Sequence, residues 1–134
     1  MAKVVVRKTE EEGIYSGEAG EFRISIDRTQ NRSPRSIDLV LLGLGACTIS
    51  TVGHYLNRKG LPPDSVEVEL SADFEEKEGI YKNLKVLLKV DDRIPPEIRK
   101  VVAGIAKNCR IHRTLEAAPH ISIELAENSG AAVS

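Results

Sequence analysis

Along the first quarter of the chain, apolar residues alternate with polar ones. Lys3–Lys8 carries Val4-Val5-Val6, and Gly13–Asp27 sets Phe22, Ile24 and Ile26 against Arg23, Ser25 and Asp27. A period of two puts one set on a buried face and the other in water, so both segments are predicted strands, broken by turns. Arg28–Arg35 is polar and holds Pro34 between Ser33 and Arg35, the composition of a loop ending at a helix start with Ser33 or Ser36 as cap. The period then changes. Leu39, Leu42, Ala46, Ile49, Val52 and Leu56 recur at helical spacing and predict a long helix over Ile37–Lys59, which Gly60-Leu61-Pro62-Pro63 stops. Gly43, Gly45 and Gly53 lie inside it. Each costs about 1 kcal/mol of helix propensity relative to alanine, so these small residues are expected to let the helix pack closely against another.

The second half repeats the change of period. Ser65–Phe74 and Leu84–Val90 alternate and form a predicted hairpin across the polar turn Glu75–Gly79. Pro95-Pro96-Glu97 opens a second helix with the stripe Ile98, Val101, Val102, Ile105 and Ala106, running to Asn108 or just past it, with Cys109 at its end. A last strand is expected at His120–Leu125, then a small polar tail, Asn128–Ser134, expected to be mobile. Strands, helix, strands, helix, strand is an α+β order rather than a repeated βαβ unit. A chain of 134 residues and 14.7 kDa fits one compact domain over 1–134, with a tail from about residue 127.

Composition excludes several classes. With 41% apolar and 29% charged residues and a net charge of -1, the chain has the make-up of an ordinary soluble globular protein. Interspersed charges and a pI near 6.3 give no basic stripe for nucleic acid. The N-terminal apolar run is too short for a signal peptide, and no stretch approaches the roughly 18 apolar residues of a membrane span, so a cytoplasmic protein with no membrane partner is expected. Two cysteines without a secretion signal point to catalytic, redox or buried thiols rather than a disulfide scaffold.

The motifs narrow the chemistry. Leu39-Val40-Leu41-Leu42-Gly43-Leu44-Gly45 could open a dinucleotide fingerprint, with Glu67 or Glu69 for the ribose, but Thr48 stands at the third small position and the strands downstream read as a hairpin. Cys109 and His112, with Cys47, His54 and His120, supply only one close ligand pair where structural zinc wants two. No metal is expected. No Gly-x-Ser-x-Gly elbow occurs. Cys47, in mid-helix, reads by itself as a small buried hydrophobe. Cys109 is followed by Arg110 and Arg113, cations that favour a thiolate. Two cysteines on separate helices could form a reversible pair, although spacing alone does not bring them together.

Leu41-Leu42-Gly43-Leu44-Gly45-Ala46-Cys47-Thr48, followed by Tyr55-Leu56-Asn57-Arg58-Lys59-Gly60, resembles the first-cysteine helix of the OsmC/Ohr family, in its OsmC-like branch. Cys109-Arg110-Ile111-His112-Arg113-Thr114-Leu115 resembles the second-cysteine motif, with Arg110 where the family has proline. The resemblance covers nearly the whole chain. It implies an intertwined homodimer, antiparallel sheets with two long central helices, and paired cysteines at the subunit interface. It further implies a thiol peroxidase that reduces organic hydroperoxides, or hydrogen peroxide, with a thiol or dithiol reductant and no cofactor. Cys47 would then be the attacking thiolate and Cys109 the resolving thiol. Asp38 stands where members often have Glu after a proline, and Ser36 occupies the proline position. Arg23, Arg28 and Arg32 are the candidates for the arginine that stabilises the thiolate in the Ohr branch, and Arg113 reads as structural. The same fold also allows a dimer that binds a small apolar ligand without turnover.

Overall fold

The computed structural model describes residues 2–127. Three strands, β1 (Val5–Lys8), β2 (Ile14–Ala19) and β3 (Phe22–Asp27), form an antiparallel meander in the order β1-β2-β3. Gly20, at φ 61°, makes the tight turn between Ala19 and its partner Phe22, a left-handed conformation that glycine enters without Cβ strain. The buried face expected on β3 is not buried within the chain. Phe22 is 76% exposed and Ile24 is exposed as well. Asp27 is buried instead. Its carboxylate accepts hydrogen bonds from the Thr29 backbone N–H at 2.9 Å, the Thr29 hydroxyl at 2.6 Å and the Arg32 N–H at 3.1 Å, which fold the following loop back on the strand.

Helix α1 spans Ser36–Arg58. Neither Ser33 nor Ser36 caps it. Arg35 holds the cap position, and Asp38 reaches back to accept from the Arg35 backbone N–H at 2.9 Å and from its guanidinium at 3.2 and 3.3 Å, the carboxylate half of a capping box. At the other end Gly60 turns left-handed at φ 72°. The Leu61 N–H bonds to the Leu56 carbonyl and the Gly60 N–H to that of Asn57. This paired termination is the reason the Gly-Leu-Pro-Pro stop works.

A short 3₁₀ turn, Pro63–Ser65, leads into the antiparallel hairpin of β4 (Val66–Glu75) and β5 (Ile80–Val90). β5 begins four residues before the predicted strand, and a register shift lies between Ser71 and Asp73. Helix α2 (Pro96–Ala106) starts with proline at its first position, where the missing N–H costs nothing. It ends sooner than expected. Cys109 lies beyond it, and a third helix, α3 (Arg110–Glu116), follows. The helical content is therefore one long, one medium and one short helix. The strand expected at His120–Leu125 is absent: the segment has no strand pairing, and Ile121, Ile123 and Leu125 are exposed, Ile123 at 94%. An alternating segment becomes a strand only against another backbone, and this chain presents none to it. The Asn128–Ser134 tail lies outside the described residues.

The core joins α1, the hairpin and α2 through Val52, Leu56, Val66, Ile94, Val102 and Ala106. The buried positions of α1 are Leu44, Gly45, Thr48, Val52 and Leu56, so the predicted stripe is only partly right: Leu42 and Ala46 are exposed. Gly45 serves close packing, but against a strand, since a Cβ there would lie 2.7 Å from Leu70 Cδ1 of β4. One sequence expectation needs amending. α1 does contain an 18-residue window of mean hydropathy 1.6, long and apolar enough to cross a membrane, whereas its Leu44-to-Leu56 face packs as a protein core helix does.

Candidate functional site

Two elements build the site. The middle of α1 supplies Cys47, and the turn between α2 and α3 supplies Cys109. Both thiols are free, with Cys109 buried and Cys47 half-buried. Cys109 is the cap of α3, its Sγ accepting the His112 backbone N–H at 3.4 Å. That explains the Cys-x-x-His spacing, because a cap residue meets the N–H three positions on. The start of α3 then lies against α1. Burial works against ionisation of Cys47, but the Cys109 thiol and the Ile111 and Arg110 backbone N–H groups, with a smaller contribution from Thr51, outweigh it and hold the thiol below its ordinary pKa. Thr51 also donates to the Cys47 carbonyl at 2.9 Å.

The cysteines, far apart in sequence, are thus brought near each other within one chain, close enough for Cys109 to favour the Cys47 thiolate. Asp38 is not brought to them. Nine residues along an α-helix is about 13 Å of rise and about half a turn of net rotation, so Asp38 sits well away on the opposite face of α1, held by Arg35. That ion pair lowers its pKa. None of the arginine candidates is among the groups that lower the Cys47 pKa. Arg32 pairs with Glu11 and lies 3.8 Å from Asp27. Arg23 and Arg28 are exposed. Arg113 bonds through its backbone N–H to the Cys109 carbonyl at 3.0 Å. The groups that lower the Cys47 pKa are neutral donors. Sequence reading missed Thr51 and the two backbone N–H groups. The threonine was detectable, one helical turn after Cys47, but the N–H donors exist only because a seven-residue helix starts at Arg110.

A largely aliphatic cavity of about 480 Å³ lies between α1, β5, α2 and α3, with Thr48 and His112 in its wall and neither cysteine in its lining. A second, of about 600 Å³, lies by Asp38 and Leu42, away from the cysteines. Among the described residues no three His, Cys, Asp or Glu side chains are grouped to hold a metal. Chemically, the arrangement offers an ionisable thiol with a second thiol within reach, the requirement for reversible oxidation to a disulfide.

The profile of the OsmC-like protein family matches residues 29–124, which include both cysteines. The chain belongs to the OsmC/Ohr family. An OsmC-like protein from Mycoplasma pneumoniae has the same fold, with a TM-score of 0.73 at 14% identity over 87% of each chain. A Psychrobacter arcticus protein, named for osmotic stress induction and the detoxification response, also gives 0.73, at 12% identity over 85% of this chain and 88% of its own. The organic hydroperoxide resistance protein OhrB of Bacillus subtilis gives 0.60, at 17% identity over 85% and 89%. No curated protein sequence matches. At these identities the likeness is one of fold.

Proposed function

We propose that this OsmC/Ohr protein is a thiol peroxidase of the cytoplasm that reduces organic hydroperoxides, or hydrogen peroxide, in oxidative-stress defence. Cys47 attacks the peroxide as a thiolate, and Cys109 condenses with the resulting sulfenic acid to form a disulfide that a thiol or dithiol reductant reopens. No cofactor enters. The observation that supports the reading is the nearness of the two thiols, with Cys109 and the backbone N–H groups of Ile111 and Arg110 favouring the Cys47 thiolate. A buried-hydrophobe role for Cys47 gives no reason for that set of donors.

The working unit is a homodimer. Phe22 and Ile24 on β3, Leu42 on α1, and Ile121, Ile123 and Leu125 are large apolar side chains left in water by a single chain, and an apolar surface spread over a sheet, a helix and a C-terminal segment calls for a partner. A steady-state assay with an alkyl hydroperoxide and a dithiol tests the activity. Turnover by the native protein that vanishes in Cys47→Ser supports it. A protein without turnover that still takes up an apolar ligand in the 480 Å³ cavity would instead be a binding protein.

A further inference from the structure

Reduction of a hydroperoxide leaves a proton to be delivered. When the Cys47 thiolate attacks the outer peroxide oxygen, a sulfur–oxygen bond forms and the oxygen–oxygen bond breaks. Sulfur gives up two electrons, and the inner oxygen departs as an alkoxide. A strongly basic alkoxide leaves slowly from an apolar site unless an acid protonates it as the bond breaks. The proton that Cys47 loses on ionising balances the one the alkoxide takes up, so thiol and hydroperoxide become sulfenic acid and alcohol.

The cavity walled by Thr48 of α1 and His112 of α3 offers candidates for that acid. Its wall is aliphatic at Leu44, Val86, Leu88 and Leu115, and Thr48, the neighbour of Cys47 in sequence, belongs to it. Of the residues lining the cavity, only Lys107, His112 and Glu116 carry ionisable side chains. His112 stands at the start of α3, next to both cysteines: its backbone N–H bonds Cys109 Sγ, and the N–H groups of the two residues before it favour the Cys47 thiolate. Its ring Nε2 lies 3.0 Å from Glu116 Oε1. The imidazole is 29% exposed against 74% for the Glu116 side chain, so the histidine is the more sheltered member of the pair. A protonated imidazole donates from both nitrogens. One can stay on Glu116 while the other serves the substrate.

We infer that His112, oriented by Glu116, is the acid that protonates the departing alkoxide. This rests on the peroxidase reading above. The experiment compares two oxidants that differ in leaving group: an alkyl hydroperoxide, which releases a strongly basic alkoxide, and a peroxycarboxylic acid, which releases a carboxylate that needs no proton. Rates of Cys47 oxidation are measured for the native protein, His112→Asn, Glu116→Gln and Lys107→Met, with iodoacetamide alkylation of Cys47 as a reaction that needs no acid. His112→Asn keeps the backbone N–H that caps Cys109. It is expected to slow the alkyl hydroperoxide reaction about a hundredfold or more, while the peroxyacid and alkylation rates stay within about threefold. Glu116→Gln is expected to show the same selectivity with a smaller loss. Equal slowing of all three reactions, no slowing, or the selective loss in Lys107→Met instead would each overturn the assignment. A native protein inert to both oxidants would overturn the peroxidase reading and this assignment with it.

Discussion

Cys47 becomes a good candidate nucleophile without a formal positive charge beside it. Its thiolate is favoured by the Cys109 thiol and by two backbone N–H groups that cannot rotate away, so the effect depends on where α3 begins. The direction gives a measurable sign: a lowered pKa keeps thiolate present at lower pH, so the alkylation rate of Cys47 should reach half its limit below the value of about 8.5 for a free cysteine. Thr51→Val removes one donor. The midpoint should rise, with slower alkylation at neutral pH and little change at high pH, and an unmoved midpoint would leave Thr51 with only its bond to the Cys47 carbonyl. Asp38 has a separate task at the start of α1. Its pKa is lowered by Arg35, so its carboxylate adds stability above the unfolded value of about 3.9 and loses it as pH falls through the lower folded value. Asp38→Asn should therefore cost about 1 kcal/mol at pH 7, less at high salt, and almost nothing near pH 2. Denaturant melts at the two pH values check this, together with unchanged Cys47 alkylation.

Helix α1 combines two demands on one sequence. Leu44, Gly45, Thr48, Val52 and Leu56 pack inside the chain, while Leu42 and Ala46 face outward. A helix apolar on several faces has no single period to read, which is why its existence and ends were legible within a residue but its buried face was not. Gly45→Leu tests the packing. The Cβ alone would meet Leu70 Cδ1 at 2.7 Å, so the bulky side chain is expected to destabilise by about 1–3 kcal/mol, and a neutral result in thermal melting would mean that β4 is not held against α1. Helix α3 was illegible for a different reason. Seven residues are too few to show a period, and its cap is a cysteine rather than one of the usual cap residues. Cys109 and His112 were therefore read as a weak ligand pair when their spacing marks a helix start. That Cys47 and Cys109 come near each other was an expectation only through resemblance to a family, because contact between α1 and α3 is made by tertiary packing.

The apolar residues that a single chain leaves in water account for the remaining mismatches. Phe22 and Ile24 alternate as a buried face should, and Ile121, Ile123 and Leu125 alternate as a strand should, yet the chain neither covers the first set nor pairs the second. Hydrophobic pattern records what is buried in the assembled state, and a second copy would satisfy both. Light scattering should therefore give twice 14.7 kDa, and Ile123→Asp with Phe22→Glu should shift the population toward monomer, since each large apolar side chain stabilises an interface by about 1.5–3 kcal/mol when fully buried. A monodisperse native monomer at micromolar concentration would remove that explanation. The account as a whole stands on the two thiols reacting as a pair, and intact-mass measurement after one equivalent of alkyl hydroperoxide tests this most directly. The native protein is expected to lose two hydrogens, with neither thiol then alkylatable until a dithiol is added, while Cys109→Ser gains oxygen at Cys47. A native protein that gains two oxygens at Cys47 while Cys109 still alkylates would contradict it.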